Sequence, residues 1–376
     1  MKKVLTLLLA AVMLLSLAAC GSNGDTSSAQ SSETSSAVSE VVSSEAEVGS
    51  EAEASSEAEV SSEVEADSEV EETSPTVEAP ESVTIQAYNA NSELVDVEVP
   101  YDPQRIAILD MAALDIIDCL GLGDRIVGSA SISIDYLKSY NPDDSNGKIV
   151  NLGNVKTADL EKVAACEPDV IFIGGRLSKN YAELEAIAPV IFLGVDYDKG
   201  VVESTRDNAK TIASMFGKEG EVDALFDGFQ PRIDALNGVV SGHDVLLGMY
   251  NNNALGLMDT ESQLNIIARE LGANNLGETV GEVDKATHGE EASWETIIKL
   301  NPEYMFILDR SSAIGANDEG LLSAQEVIEN DLIKELDVYK EGKIVYLAHA
   351  NVWYTSTGGV QALDTMLADL ESALLK

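Results

Sequence analysis

Two arginines and two glutamates recur in this sequence at matched places. The segment DLEKVAACEPDVIFIGGR ends at Arg176, and SWETIIKLNPEYMFILDR ends at Arg310. Each runs from a glutamate (Glu161, Glu295) to a proline seven residues on (Pro168, Pro302) and an acid next to it (Asp169, Glu303). Phe-Ile follows (Phe172-Ile173, Phe306-Ile307), and the arginine stands fifteen residues after the glutamate. Six matches at fixed offsets are more than shared periodicity produces. A guanidinium stays charged and donates in a planar fork, so the chemistry on offer is recognition of an anion, not proton transfer. Each unit reads as a short helix, a turn and a buried strand, with the arginine at the strand's carboxyl end, where ligands of parallel α/β sheets sit. Both arginines are therefore expected at an edge facing a shared cleft. Both glutamates fall in the first turn of a helix at the other end of the unit. Taken singly, such a glutamate is commonly a helix-dipole partner and such an arginine a surface charge; the duplicated set favours function.

Other chemistry is thinly supplied. There are three histidines, His243, His288 and His349, and a bare zinc or manganese site wants several converging with a carboxylate. His243 precedes a strand (GHDVLL) and His349 sits in a loop, so both read as structural or exposed. The sequence has no Gly-x-Ser-x-Gly elbow, no His-Glu-x-x-His, no phosphate loop and no dinucleotide fingerprint, which argues against an enzyme. Paired carboxylates carry little information in a chain with a net charge of −43. Cys119 and Cys166 lie on apolar faces of predicted helices (AALDIIDCLG, ADLEKVAAC). They read as a disulfide or as two buried free thiols, and not as a metal site.

These residues need a scaffold, and the apolar runs supply one. VTIQAYN and ELVDVEVP read as paired opening strands. RIAIL, RIVGSA, DVIFIGG and PVIFLGV follow as buried strands separated by helical patterns such as YAELEAIA. From Val201 to Asn237 the pattern is wholly helical, with KEGEVDALFDGFQPRIDALNG as its longest piece and Pro231 as a candidate kink. Alternation resumes with HDVLLGMY, SQLNIIARELG, EYMFILD and KIVYLA, and closes on GGVQALDTMLADLESALL. Strands alternating with helices give an α/β fold of parallel sheets. The expected organisation is an N-terminal α/β lobe at 83–217, an inter-lobe helix at 218–238 and a C-terminal α/β lobe at 239–376.

The first 82 residues are a different polymer. MKKVLTLLLAAVMLLSLAAC has two lysines, an apolar run and small residues before a cysteine, the layout of a signal peptide over 1–19 rather than of a spanning helix. Leu17-Ala18-Ala19-Cys20-Gly21 resembles the lipobox of bacterial lipoproteins, which implies cleavage before Cys20 and a lipid on its thiol. From there to Ser82 the chain repeats Ser, Glu, Ala and Val, with 17 acidic residues and no Lys, Arg, His or aromatic residue between Ser22 and Ser82. Nothing there can nucleate a core, so residues 20–82 read as a lipidated cysteine and a disordered tether, reaching on the order of 45 Å as a flexible coil. From Val83 to Lys376 there are 49 acidic residues against 21 basic ones, which excludes nucleic acid as an expected partner.

From about Glu98 to the C-terminus the chain resembles the class III, helical-backbone solute-binding proteins of ABC importers, especially the catecholate siderophore binders of the enterobactin and petrobactin type. The resemblance rests on ALDIIDCLGLGDRIVG, VNLGNVKTADLEKVAACEPDVIFIGGR, THGEEASWETIIKLNPEYMFILDR and GKIVYLAHANVWYTSTGG taken together. It implies two α/β lobes joined by one long helix, little movement on binding, no intrinsic cofactor, and a monomer at the outer face of the cell membrane. It implies that Arg176 and Arg310 offset the charge of a ferric catecholate, and that Trp353 lies near the ligand. It also implies that His288, in Thr287-His288-Gly289, and Tyr354, in Val352-Trp353-Tyr354, fill the Fe(III) positions a tetradentate siderophore leaves open; imidazole and phenolate suit ferric iron. Glu161 and Glu295 match glutamates that dock onto the two permease subunits. One departure stands out: Gln263 occupies the place of a further cleft arginine, and Arg269, six residues on, falls on another helix face. That departure leaves a less anionic ligand open, with a corrinoid or haem as the alternative within the same fold.

Overall fold

Strand character here follows from what covers each face. A computed structural model describes residues 79–280, 290–316 and 319–375. It opens with an antiparallel hairpin, β1 (Ser82–Tyr88) and β2 (Leu94–Pro100), in register from Ser82 opposite Pro100 to Tyr88 opposite Leu94. The first sheet starts with β3 (Ile106–Leu109), β4 (Ile126–Ser129) and β5 (Val150–Asn151). A two-residue ribbon, β6 (Gly153–Asn154) with β7 (Thr157–Ala158), interrupts it. The sheet is completed by β8 (Val170–Ile173) and β9 (Val190–Phe192), giving the order β5-β4-β3-β8-β9, all parallel. Every residue of β3 and β8 is buried, as expected where helices cover both faces of a parallel sheet. Ile106 and Ile108 face one core while Ala107 and Leu109 face another, the period of two that a pleated strand imposes.

The second sheet is mixed. Strand β10 (Asp244–Asn251) turns through Asn252 and Asn253 into β11 (Ala254–Leu257). The two asparagines have φ of 50° and 64°, the left-handed pair a two-residue hairpin requires. β12 (Asn274–Asn275), β14 (Tyr304–Asp309) and β15 (Ile344–Tyr346) run parallel to their neighbours, and β13 (Glu290–Glu291) pairs antiparallel with β11.

The helices bind the two sheets together. In the first lobe α1 (Met111–Cys119), α2 (Leu160–Ala165) and α3 (Tyr181–Glu185) follow β3, the ribbon and β8. Then come α4 (Val201–Ser214), α5 (Glu219–Leu225) and α6 (Phe229–Val240). The second lobe carries α7 (Asn265–Arg269), α8 (Trp294–Leu300), α9 (Arg310–Ala313), α10 (Ala324–Ile328), α11 (Asp337–Lys340), α12 (Ala350–Thr355) and α13 (Val360–Leu374). One apolar core runs from Ile106 and Phe172 of the first sheet, through Ile212, Leu236 and Met366 of α4, α6 and α13, to Leu247 and Phe306 of the second. Two further cores lie on the outer faces of the sheets.

The single helix expected over 218–238 is two helices, α5 and α6. The first ends at Leu225, and Gly228, with φ of 91° and ψ of −11°, is the N-cap from which the second starts; glycine takes this left-handed geometry without strain. Pro231 does not kink anything, because it sits in the first turn of α6, where its missing N–H has no helical partner to lose. The C-terminal helix also does more than complete the second lobe. Asp115 of α1, fully buried, accepts the backbone N–H groups of Gln361 and Ala362, both at 2.9 Å, in the first turn of α13. Reciprocally, Glu270, beside α7, accepts Val202 N–H at 3.0 Å at the start of α4. Each lobe thus caps a helix packed against the other, using donors that a helix N-terminus leaves unpaired. No described helix is long and apolar enough to cross a membrane.

Candidate functional site

The carboxyl ends of β3, β8 and β9 open into a cavity of about 440 Å³. Its floor and near wall come from the first lobe: Asp110 and Met111 after β3, Gly174 to Arg176 after β8, and Leu193 to Val195 after β9. The far wall is Tyr354 and Thr355 of α12 with Gln263 ahead of α7. It is therefore a cleft between lobes at the end of the sheet where parallel α/β folds bind ligands.

Two guanidinium groups meet over one phenol there. The Cζ of Arg176 lies 4.8 Å from the ring centroid of Tyr354, and that of Arg310 lies 5.5 Å from it. Both are within cation–π range. Arg310 Nε also donates to the Tyr354 hydroxyl at 3.0 Å, and its Nη1 donates to Asn251 Oδ1 at 2.6 Å. Burial alone would push the Tyr354 hydroxyl up, but the hydrogen bond from Arg310 and the charges of Arg176 and Arg310 together outweigh it. Its pKa is held below the ordinary tyrosine value, because a donor and two positive charges beside the oxygen stabilise its ionised form. Tyr197, lining the same cavity, goes the other way: burial pushes its hydroxyl up to about 12. The two phenols of the cavity are thus shifted in opposite directions.

The repeat places its residues as its symmetry requires. Arg176 follows β8 in a short 3-10 turn, and Arg310 is the first residue of α9 directly after β14. Glu161 and Glu295 are exposed in the first turns of α2 and α8, helices capped by Asp159 and Ser293. The repeated acid proves structural. Asp169 accepts the backbone N–H groups of Gln104 (2.7 Å) and Arg105 (2.9 Å), and Glu303 accepts that of Asp244 (3.0 Å). Each pins the start of the adjacent strand, β3 or β10. Glu303 also holds His243 Nδ1 at 2.9 Å, so His243 belongs to this joint.

Other expected residues are distributed less simply. Gln263 lines the cavity. Arg269 turns away, donating to Asp198 O at 2.7 Å. Trp353 is a correction: its exposure is 0 % and its Nε1–H donates to Asp369 Oδ2 at 3.0 Å. Neighbouring positions on a helix point about 100° apart, so α12 sends Tyr354 to the cleft and Trp353 into the core, where the indole N–H needs its own acceptor. Asp369 also takes His349 Nδ1 at 2.7 Å. His288 and Cys20 lie outside the described residues. Cys119 and Cys166 are free thiols. Burial and the nearby Asp115 and Asp118 push the Cys119 thiol up to about 12. Among the described residues, no three His, Cys, Asp or Glu side chains are grouped to hold a metal ion.

Three residues escaped the sequence reading. Asp110 caps α1 through Ala113 N at 2.8 Å and stands beside Gly174, where a Cβ would come within 2.6 Å of its Oδ2. An acid between an apolar run and a helical pattern is a cap signature, and that signal was available. Asn251 orients Arg310, but only the hairpin geometry reveals it. Tyr197 comes from a loop, where spacing gives no phase.

Residues 106–350 match the model of the periplasmic binding protein family. The chain belongs to that family. Within it, the chain is 32 % identical over 282 residues to the petrobactin-binding protein YclQ of Bacillus subtilis, covering 74 % of this chain and 85 % of the relative. The solved structure of that protein superposes with a TM-score of 0.69 at 30 % identity, over 79 % of this chain and 100 % of the other. The catecholate-siderophore binding protein VctP of Vibrio cholerae superposes with a TM-score of 0.65 at 28 % identity, over 77 % and 100 %. The ferric-anguibactin-binding protein FatB of Vibrio anguillarum is 25 % identical over 279 residues, 71 % of this chain and 81 % of that one. The fold is the class III form of the family: two α/β lobes with parallel strands, joined through helices.

Proposed function

We propose that this protein is the extracytoplasmic solute-binding component of an ABC importer, that it takes a ferric, catecholate-type siderophore into the inter-lobe cleft, and that it passes the complex to the permease without catalysing a reaction. The observation that carries this reading is the pair of guanidinium groups, one from each lobe, on a phenol whose pKa they depress. An anionic iron complex is matched by the two charges, and Fe(III) by the phenolate oxygen. The similarity to siderophore binders supports it.

In this reading Arg176 and Arg310 offset the charge of the catecholate oxygens, Gln263 contacts the ligand edge, and Tyr354 with His288 supplies the two iron positions left by a tetradentate ligand. Glu161 and Glu295 dock to the permease, and Cys20 carries the lipid that holds the protein at the extracytoplasmic face of the cell membrane. The test is a fluorescence titration of the protein with ferric complexes. Trp353 is buried beside Tyr354 in sequence, so quenching by the visible charge-transfer band of an iron catecholate reports occupancy through space. Saturable quenching by a ferric bis-catecholate, with weak response to a ferric hydroxamate, is expected. No saturable response to any ferric complex would overturn the reading.

A further inference from the structure

A second cavity, of about 340 Å³, adjoins the first across Met111, Val155 and Thr355, which line both. Its chemistry is different. Ile134 from the first lobe faces Ala313 and Ile314 from the second, with Lys156 of the β6–β7 turn and Ser133 among its lining residues. Ile314 is 45 % exposed, a large apolar side chain left open beside a polar cleft. Lys156, like Arg176 and Arg310, is ion-paired with no carboxylate among the described residues. In a chain this rich in carboxylates, an unpaired lysine over an apolar pocket is free to receive an anionic group from a ligand.

We infer that the cleft has two compartments, and that the second, between Ile134, Ile314 and Lys156, takes the part of the ligand that does not bind iron: an aliphatic backbone carrying one carboxylate. The inference rests on the siderophore reading and deepens it. Each cavity is near the lower end of the roughly 300–1,000 Å³ that drug-sized ligands fill, so a ligand longer than its iron centre outgrows the first, and the second adjoins it. The walls of the second cavity fix which extension is accepted. Methylene groups of the ligand remove the exposed Ile314 from water, over a floor that includes the already buried Ile134 and Ala313, and a carboxylate meets the ammonium of Lys156 at the rim. An extension ending in an ammonium meets a like charge and is disfavoured. The first compartment supplies iron recognition and the second supplies selection among chelators with the same iron-binding end.

The experiment uses three synthetic ferric bis-catecholates with identical iron-binding ends. One has a plain short linker, one a linker with an aliphatic arm ending in a carboxylate, and one the same arm ending in a carboxamide. Affinities are measured by fluorescence for the unaltered protein, Lys156→Ala and Ile314→Glu. The inference expects the carboxylate arm to bind about tenfold tighter than the carboxamide arm, the fold-change of about 1.4 kcal/mol. Lys156→Ala should erase that preference and leave the plain complex unchanged. Ile314→Glu should weaken both arm-bearing complexes and spare the plain one. If all three complexes bind the unaltered protein equally, or if Lys156→Ala weakens all three alike, the two-compartment inference is overturned while the siderophore reading stands. If none of the three binds, the siderophore reading itself fails.

Discussion

The joint between the lobes makes a sharp prediction, because it rests on one buried charge. Asp115 Oδ1 accepts Gln361 N–H at 2.9 Å and the Cys119 thiol at 3.7 Å; Oδ2 accepts Tyr136 O–H at 2.8 Å and Ala362 N–H at 2.9 Å. Burial nevertheless dominates these favourable contacts and raises the carboxyl from 3.8 to about 6. A folded-state pKa above the unfolded one means the charged form is the less welcome one in the fold. Its cost is fully present above about pH 6 and vanishes as pH falls through the window from about 6 to about 4. At about 1.4 kcal/mol per unit of pKa difference, the cost is on the order of 3 kcal/mol. Asp115→Asn removes the titration and the cost together, but an amide has one acceptor oxygen and must turn its NH₂ toward a backbone N–H, a mismatch of about 1–3 kcal/mol. The two effects nearly cancel at neutral pH. The expected outcome is similar stability at pH 7.5, with the unaltered protein gaining on the variant by roughly 3 kcal/mol as pH falls to 4. Urea unfolding followed by tryptophan fluorescence at four pH values measures this, and taking the difference between the two proteins cancels the pH response of the other carboxylates. A difference that stays constant from pH 7.5 to 4 would refute the argument.

Two other predictions concern the cleft and the outer face. An ultraviolet titration of tyrosine should show one phenol ionising below the ordinary range, absent in Tyr354→Phe and moved upward in Arg310→Gln, because burial then loses its main opponent; an unchanged titration curve in both variants would remove the phenolate argument. Glu161→Lys combined with Glu295→Lys should abolish iron uptake by cells while leaving ferric-complex affinity unaltered, since both side chains are exposed in helix first turns at the other end of the units that carry the cleft arginines. A fall in affinity would place those glutamates in the binding site instead.

Much of this molecule was legible because its signals are local. The buried strands announce themselves as apolar runs, IAIL and VIFI in β3 and β8, and the duplicated units mark the strands whose carboxyl ends carry Arg176 and Arg310. What the pattern could not give was phase within short helices. Trp353 and Tyr354 are adjacent in a six-residue helix, too short for periodicity to say which one faces the core, and the burial of the indole was decided by Asp369, sixteen residues away. The inter-lobe helix was misread for a related reason. An apolar stripe continues across Gly228, but a left-handed residue there resets the helix axis, and sequence period alone does not register a change of direction. The inter-lobe caps were invisible altogether. Asp115 lies inside an apolar helical pattern, and its partners are about 250 residues further along the chain.

Charge in this protein is divided by place. A carboxylate within reach of the Arg176 charge illustrates how. Asp110 lines the cavity and feels the charge of Arg176, but burial raises its pKa, and its Oδ1 faces the N–H of Ala113. It therefore serves the helix more than it neutralises the guanidinium. Arg310 is held by neutral partners, the Tyr354 hydroxyl and the Asn251 carbonyl oxygen, which fix its direction and leave its charge intact. By contrast Arg232, on α6, is consumed by Asp364 and Glu371 of α13. The distinction is between cations spent on the fold and cations orientated but left unneutralised. At a cleft, a carboxylate paired with a cation would compete with an anionic ligand for the same charge. Arg176 and Lys156 line the two adjoining cavities, and Arg310 lies on the Tyr354 ring that walls the first; none of the three is ion-paired with a carboxylate among the described residues.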